Sequence, residues 1–374
     1  MKSLILKTTA LFLLCSQIGY SNPTYLKKVK KQTIKMAILL DTSNSMDGLI
    51  DQAKAQLWQI VNELSYAKYG IAKPDLEIAI YEYGNASLAA EEGFIRMVLP
   101  FNSDLDEISE KLFSLKTNGG SEYCGQVIDM AVKELTWGKN EDDLKLLFIA
   151  GNEPFTQGTV SYKEAISTAT EKGILVNTIF CGDYSNGISG MWKDGAALGG
   201  GDYMTIDHNK KIVHIVTPYD DEIIILNKKL NGTYIYYGDK GSENKSKQYN
   251  QDVNAEKLNE MVIVNRAISK SSRLYENSTW DLVDALEKKN IDLEKIDKKS
   301  LPKELQNKST SELKNFVELK SKERKVIQTK IKELDAKRKK FIAAKQLETD
   351  QKDVLENVMI QAIKKQALLK NYSW

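Results

Sequence analysis

Residues 34–46, with the sequence IKMAILLDTSNSM, form an apolar run that ends abruptly in an acid and two hydroxyls. An unbroken apolar run of this length is typical of a strand that is buried on both faces of a parallel sheet. Ligands of such sheets bind beyond the carboxyl ends of the strands, so we expect Asp41, Ser43 and Ser45 to converge there. Their hard oxygen atoms suit Mg²⁺, Ca²⁺ or Mn²⁺ and offer nothing soft for zinc or copper. The alternative is a plain strand-to-helix turn in which Ser45 or Asp47 caps the next helix.

The composition leaves room for two domains and argues against nucleic acid as a partner. The chain has 374 residues and a formal net charge of +2. Lysines and arginines are interspersed with acids, so the sequence lacks the one-signed field that nucleic-acid binding requires.

The first 21 residues have the pattern of a secretory signal peptide. Lys2 and Lys7 precede a short apolar core at residues 10–14, and small residues follow up to Ser21. We expect cleavage after Ser21 and export to the periplasm or the medium. A lipoprotein at Cys15 is disfavoured because a bulky residue precedes it, and no later segment is apolar for long enough to span a bilayer.

Two cysteines, Cys124 and Cys181, remain after removal of the signal. An even pair in an exported chain predicts a disulfide. Two alternatives stay open. The thiols could be separate and buried, or Cys124 could be a reactive thiolate at a helix N-terminus.

Strands and helices alternate regularly between residues 33 and 236, which predicts a doubly wound, mostly parallel α/β sheet. The strands predicted near residues 76–83 and 94–99 have too short a link for a helical crossover, so we expect an antiparallel pair at one edge. A basic lead-in at residues 22–32 precedes this domain. A Gly-, Ser- and Asn-rich linker is predicted at residues 237–254, followed by a helical region at residues 255–374.

The helical region carries a narrow apolar stripe that includes Ile327, Ile331 and Leu334, and a second stripe around Met359. Narrow stripes are typical of a helical hairpin or a short coiled coil, which would allow self-association. The alternative is a solvated helix that packs back on the first domain. On the two-domain interpretation, a chain cut near Asn254 should keep a folded α/β domain.

The motif DTSNS, the glycine loop TNGGSEYCG and the strand end FIAGNEPF together resemble the von Willebrand factor type A domain, over about residues 33–236. The resemblance implies a Rossmann-like sheet with a metal-ion-dependent adhesion site at its top, used mainly to bind proteins. The segments VNTIFCGD and LGGGDYMTI resemble a bacterial exported subgroup of the family with a helical tail.

The resemblance implies a degenerate metal site in this chain. The family's first motif is complete at residues 41–45, and its threonine falls at Ser121 or Tyr123, of which only Ser121 suits a metal. The family's aspartate is absent, because the third motif reads AGN at residues 150–152. Glu153, a weaker candidate, could act through water. One carboxylate in place of two implies weak binding of a divalent cation, or none, unless a partner supplies an acid.

Enzymatic chemistry finds little support in the sequence. Neither His208 nor His214 lies in a loop that would meet a Ser or Cys nucleophile, and a Glu153–Asp183 acid pair would be solvated. We therefore interpret the chain as an exported, non-enzymatic protein-interaction module without catalytic residues. A structural envelope scaffold that binds no metal and makes its contacts through the tail is the alternative, and an envelope hydrolase is a remote third.

Overall fold

The computed structural model describes residues 31–207, 215–346 and 355–374. The predicted signal peptide, with Cys15, and the two histidines lie outside the described residues. Within the described residues, no helix has the length and apolar content needed to cross a membrane.

A six-stranded sheet forms the centre of the fold, in the order β4-β3-β1-β5-β6-β7. All neighbours pair in parallel except β3 and β4, which are antiparallel at one edge. The doubly wound sheet and its antiparallel edge pair are therefore confirmed. The strands are β1 Thr33–Asp41, β2 Lys68–Tyr69, β3 Asp75–Tyr83, β4 Ile95–Asn102, β5 Leu144–Gly151, β6 Ile174–Cys181, β7 Gly200–Ile206 and β8 Tyr372–Ser373, of which β2 and β8 pair separately.

Helices cover both faces of the sheet. They are α1 Asp47–Leu64, α2 Leu105–Ser114, α3 Cys124–Glu134, α4 Tyr162–Glu171, α5 Tyr184–Ser189, α6 Trp192–Leu198, α7 Asp220–Asn231, α8 Gly241–Leu258, α9 Glu260–Lys270, α10 Leu282–Glu287, α11 Thr310–Gln346 and α12 Leu355–Leu369. The C-terminal helical region that the sequence predicts is thus present.

The side chains of β1 alternate between two hydrophobic layers. Met36 and Leu40 pack in one layer with α1, α2, α7, α9, α11 and α12, whereas Ala37 and Leu39 pack in the other with α3, α4 and α6. Because both layers are apolar, the strand reads as one unbroken apolar run in the sequence.

The predicted linker is wrong, because most of it is helix α8. This helix buries polar side chains, Gln248, Gln251 and Asp252, instead of an apolar stripe. The Asp252 carboxylate accepts a hydrogen bond from Arg266 Nε (2.6 Å) and forms an ion pair with Lys270 Nζ (3.0 Å). Helix α8 is therefore held to the fold by charge and hydrogen bonds.

The two long C-terminal helices pack back on the α/β domain, as the alternative interpretation has it. Ile327, Ile331 and Leu334 of α11, and Met359 of α12, belong to the same hydrophobic layer as one face of the sheet. The narrow apolar stripes are thus buried against the sheet domain, and not in a helical hairpin or coiled coil as predicted.

Buried arginines reinforce this packing. Arg324 Nη1 of α11 forms an ion pair with Asp281 (2.6 Å), and its guanidinium stacks 4.0 Å from the centre of the Tyr234 ring. Arg338, also on α11, forms an ion pair with Asp220 at the start of α7 (2.9 Å). Each pair joins the long helix to a segment that precedes it by at least forty residues in the sequence.

Candidate metal centre

Asp41 ends the central strand β1 and lies fully buried at its carboxyl edge. Its Oδ1 accepts a hydrogen bond from the backbone N–H of Ser43 (2.8 Å), which turns the chain sharply after the strand. The backbone N–H of Thr42, which lies between Asp41 and Ser43, donates to the carbonyl of Tyr83 on β3 (2.9 Å). The position of the carboxyl group is therefore set by backbone bonds on both sides.

The hydroxyl groups of Ser43 and Ser45 lie close together in the loop after β1, as the motif predicts. Ser43 Oγ and Ser45 Oγ lie 3.1 Å apart, and Asn152 Nδ2, beyond the end of β5, donates to Ser45 Oγ (3.2 Å). The capping alternative fails, since α1 begins after Met46, whose side chain makes no cap hydrogen bond, and Ser45 lies inside the preceding turn of 3-10 helix.

Glu122 is the functional candidate that the sequence analysis missed. It lies in the glycine loop, is only 5% exposed, and its side chain lies beside the carboxyl group of Asp41, where both face Gly84. In the sequence, the only signal for this residue is its position between two motif candidates, Ser121 and Tyr123. The direction in which a loop side chain points cannot be predicted from hydrophobic periodicity.

The two carboxyl groups are poorly compensated. Burial raises the pKa of Asp41, and burial together with the neighbouring Asp41 carboxyl group raises the pKa of Glu122 to about 9; the charge of the exposed Glu153 adds to both shifts. If both groups are ionised, neither can donate a hydrogen bond, and Asp41 Oδ2 and Glu122 Oε2 are then buried without a partner. A proton shared by the pair, or a bound cation, would relieve this.

Ser121 and Glu153 are placed less favourably than Glu122. Ser121 is half-buried, and its side chain makes no hydrogen bond within the described part of the chain. The Glu153 side chain is exposed, while its backbone carbonyl accepts from Trp192 Nε1 (2.8 Å). Glu153 therefore influences the site through its charge.

The predicted disulfide is wrong: Cys124 and Cys181 are separate, free and buried thiols. Cys124 packs in the hydrophobic layer of α3 and α4, whereas Cys181 packs in the layer on the opposite face of the sheet. The sheet itself keeps the two sulfurs apart. Burial also raises the pKa of both thiols, which argues against a reactive thiolate at Cys124.

The donor set at this edge fits a hard divalent cation. It offers two carboxyl groups, two serine hydroxyls and buried carboxyl oxygens without partners. In residues 31–207, 215–346 and 355–374, no group of three or more His, Cys, Asp and Glu side chains could hold a metal ion. Any cation here would thus depend on the hydroxyls as well as the carboxyls.

Comparison with known proteins agrees with this architecture. Residues 36–187 match the family model of the von Willebrand factor type A domain. No curated protein matches the sequence.

Solved structures give weak similarities over about half of the chain. The conserved hypothetical protein BatB from Bacteroides thetaiotaomicron is 20% identical, with 46% of this chain and 90% of that chain covered and a TM-score of 0.36. An aerotolerance-related membrane protein from Bacteroides fragilis is 18% identical, with 46% and 92% covered and a TM-score of 0.31. Proximal thread matrix protein 1 from the mussel byssus, with a zinc-occupied MIDAS motif, is 14% identical, with 48% and 43% covered and a TM-score of 0.36.

These similarities are too low to carry a functional argument. The family model and the observed sheet support a von Willebrand factor type A domain within residues 36–187 of this chain.

Proposed function

We propose that this chain is an exported, non-enzymatic protein-interaction module that presents the carboxyl edge of its sheet to a protein partner. A divalent cation, Mg²⁺, Ca²⁺ or Mn²⁺, would be held there by Asp41, Ser43 and Ser45. The observation that carries the proposal is the buried Asp41 carboxyl group, whose Oδ2 has no hydrogen-bond partner and which lies beside two convergent hydroxyls. Export is supported by the sequence of residues 1–21 alone.

Such a cation would supply an electrophilic contact point for an oxygen atom of the partner. Asp41 would hold the ion, and the hydrogen bond from the Ser43 N–H would orient the carboxylate toward it. Ser45 lies at the exposed rim of the site, where its hydroxyl is positioned by Asn152. Ser121 and Glu153 remain outer candidates, with Glu153 acting through water.

Metal titration of Asp41→Ala tests this proposal. We expect the parent protein to bind Mg²⁺ or Mn²⁺ in isothermal titration calorimetry and the variant to show no binding. Asp75→Ala is the matched control, because Asp75 is an exposed carboxylate at the opposite end of the neighbouring strand β3. Equal binding by the parent and Asp41→Ala would refute the assignment of the site.

An envelope scaffold that binds no metal is the second candidate, and one observation favours it. The outer face of α11 leaves Leu319 and Val326 64% and 70% exposed, which gives the tail an apolar contact surface of its own. Partner capture with and without a chelator separates the two functions. Capture that a chelator and Asp41→Ala leave unchanged, but that Val326→Lys abolishes, would favour the scaffold.

A further inference from the structure

We propose that Glu122 is a resident second carboxylate ligand of the cation, replacing the charge that the sequence lacks after β5. This inference rests on the proposed cation site at Asp41. The glycine loop carries Glu122 against Asp41 at the end of the central strand, and Asn152 occupies the position where a second acid was expected.

The first argument is electrostatic. Asp41 and Glu122 are 0% and 5% exposed, and neither forms an ion pair with a lysine or arginine among the described residues. Burying two carboxylates side by side without a counter-charge is costly, so native proteins pair such groups or bind metals with them. Asp41 Oδ2 and Glu122 Oε2, both without hydrogen-bond partners, are the atoms left for such a ligand.

The second argument is that the loop holds Glu122 in place. Its backbone N–H donates to Gln157 Oε1 (2.7 Å), and its carbonyl accepts from the Cys124 N–H at the start of α3 (3.2 Å). Upstream, the Asn118 N–H donates to the carbonyl of Thr42, next to Asp41 (2.9 Å). The loop is thus bonded to the first motif itself and to the loop that follows β5.

Two glycines allow this close approach. A β-carbon at Gly84, just after β3, would lie 2.8 Å from Glu122 Cγ and 2.9 Å from Asp41 Oδ1. A β-carbon at Gly120 would lie 2.7 Å from the carbonyl oxygen of Gly84. Backbone without side chains therefore encloses the carboxyl pair, which is the arrangement of a built site and not of a solvent-exposed acid.

The charge balance sets what a partner must supply. Two carboxylates neutralise a divalent cation, so a neutral oxygen, such as a backbone carbonyl or a hydroxyl, is sufficient as the partner's contribution. The protein should then bind the cation more tightly than a site with one carboxylate would. Cation binding should also not depend on an acidic residue of the partner.

The test is Glu122→Gln in the full-length protein, with Glu141→Gln as the matched control, because Glu141 is an exposed glutamate just before the amino end of β5, at the opposite edge of the sheet. Glutamine keeps the size and hydrogen-bonding capacity of the side chain while removing its charge. Losing a charged ligand should raise the Kd for Mn²⁺ by about 10–100-fold or more, since even the outer partners of metal ligands have effects of that size. The increase in Tm on adding Mn²⁺ should shrink in parallel, whereas Glu141→Gln should leave both the Kd and this increase unchanged.

The outcomes are distinguishable. Parent protein that binds none of the three cations would overturn both the proposed cation site and this inference. Binding by the parent that Glu122→Gln matches or exceeds would overturn this inference alone, and would show that a proton shared with Asp41, and not a metal, neutralises Glu122. Equal losses in Glu122→Gln and Glu141→Gln would also overturn it, because removing any glutamate charge would then have the same effect.

Discussion

One buried polar side chain in this fold, that of Gln56, is expected to lower the stability of the protein. Gln56 of α1 is 1% exposed, and neither its amide nitrogen nor its amide oxygen has a hydrogen-bond partner. It borders an apolar cavity of about 30 Å³ between α1 and the sheet, lined by residues such as Leu40, Ile80 and Phe148. A buried amide without partners opposes folding.

Gln56→Met should therefore stabilise the protein. Methionine has nearly the same shape and leaves no polar atom unpaired, so the free energy of unfolding should rise by about 1–3 kcal/mol. Denaturant unfolding measures this. Gln52→Met on the same helix is the control and should not stabilise, because Gln52 Nε2 donates to the carbonyl of Asp207 (3.0 Å). A loss of stability in Gln56→Met would show that the amide has a bonding partner in solution.

A second residue-scale prediction concerns the glycine that faces the carboxyl pair. Gly84 has φ +77°, and Gly138 has a similar φ of +73° with open space around its α-carbon. Gly138→Ala should cost about 1–3 kcal/mol through backbone strain. Gly84→Ala should cost more in thermal unfolding, because its methyl group would also displace Asp41 and Glu122. Equal costs would show that the pair is not tightly enclosed.

At the scale of elements, the sequence predicts those parts of the fold that apolar side chains determine. Strands β1, β5 and β6 are found where their apolar runs place them, because burial on both faces leaves a clear pattern. Helix α8 was missed, since its buried side chains are polar and give no hydrophobic period. Glu122 was missed for a related reason: its position depends on long-range hydrogen bonds of a loop, which a single sequence does not display.

The polar interface of α8 predicts a pH-dependent stability. Burial opposes the ionisation of Asp252, but the charges of Lys270 and Arg266 outweigh it and lower the pKa of this carboxyl well below its usual value. Asp252→Asn leaves the buried Lys270 without an ionised partner, while Arg266 keeps its ion pair with Asp106, and should cost about 3–5 kcal/mol at pH 7. Asp129→Asn, which removes a surface pair with Lys133, should cost at most about 1 kcal/mol.

The sign of the pH dependence follows from the lowered pKa. The stabilisation by Asp252 is fully present above the unfolded-state pKa of about 3.9 and is lost as the pH falls toward the folded-state value. The difference in unfolding free energy between the parent and Asp252→Asn should therefore be constant from about pH 5 to 7 and narrow below about pH 4. A difference that widens on acidification would contradict the assignment.

At the scale of the whole molecule, the described residues from Lys31 onward form one compact unit. Helices α9, α11 and α12 complete the hydrophobic layer on one face of the sheet. The sequence favoured an α/β domain with an independent tail. We propose instead that the C-terminal helices are part of the hydrophobic core of that domain.

Truncation at Asn254 should consequently destroy the cooperative fold. The cut removes Arg266, Arg324 and Arg338 together with their buried ion pairs and exposes the apolar face of the sheet. We expect aggregation, or a loss of the sigmoidal thermal transition in circular dichroism, with recovery when residues 255–374 are co-expressed as a separate chain. A soluble truncated chain with a cooperative transition would restore the two-domain interpretation.

The separation of Cys124 and Cys181 by the sheet has a consequence for biogenesis. A folded chain with its thiols in different layers gains nothing from an oxidising compartment, and a reductant should leave its Tm unchanged. The unfolded chain, by contrast, can join the two sulfurs freely, and the resulting crosslink is incompatible with the native sheet. In an oxidising compartment, folding would thus compete with disulfide formation in the unfolded chain, and the yield of native protein would depend on the relative rates of the two processes.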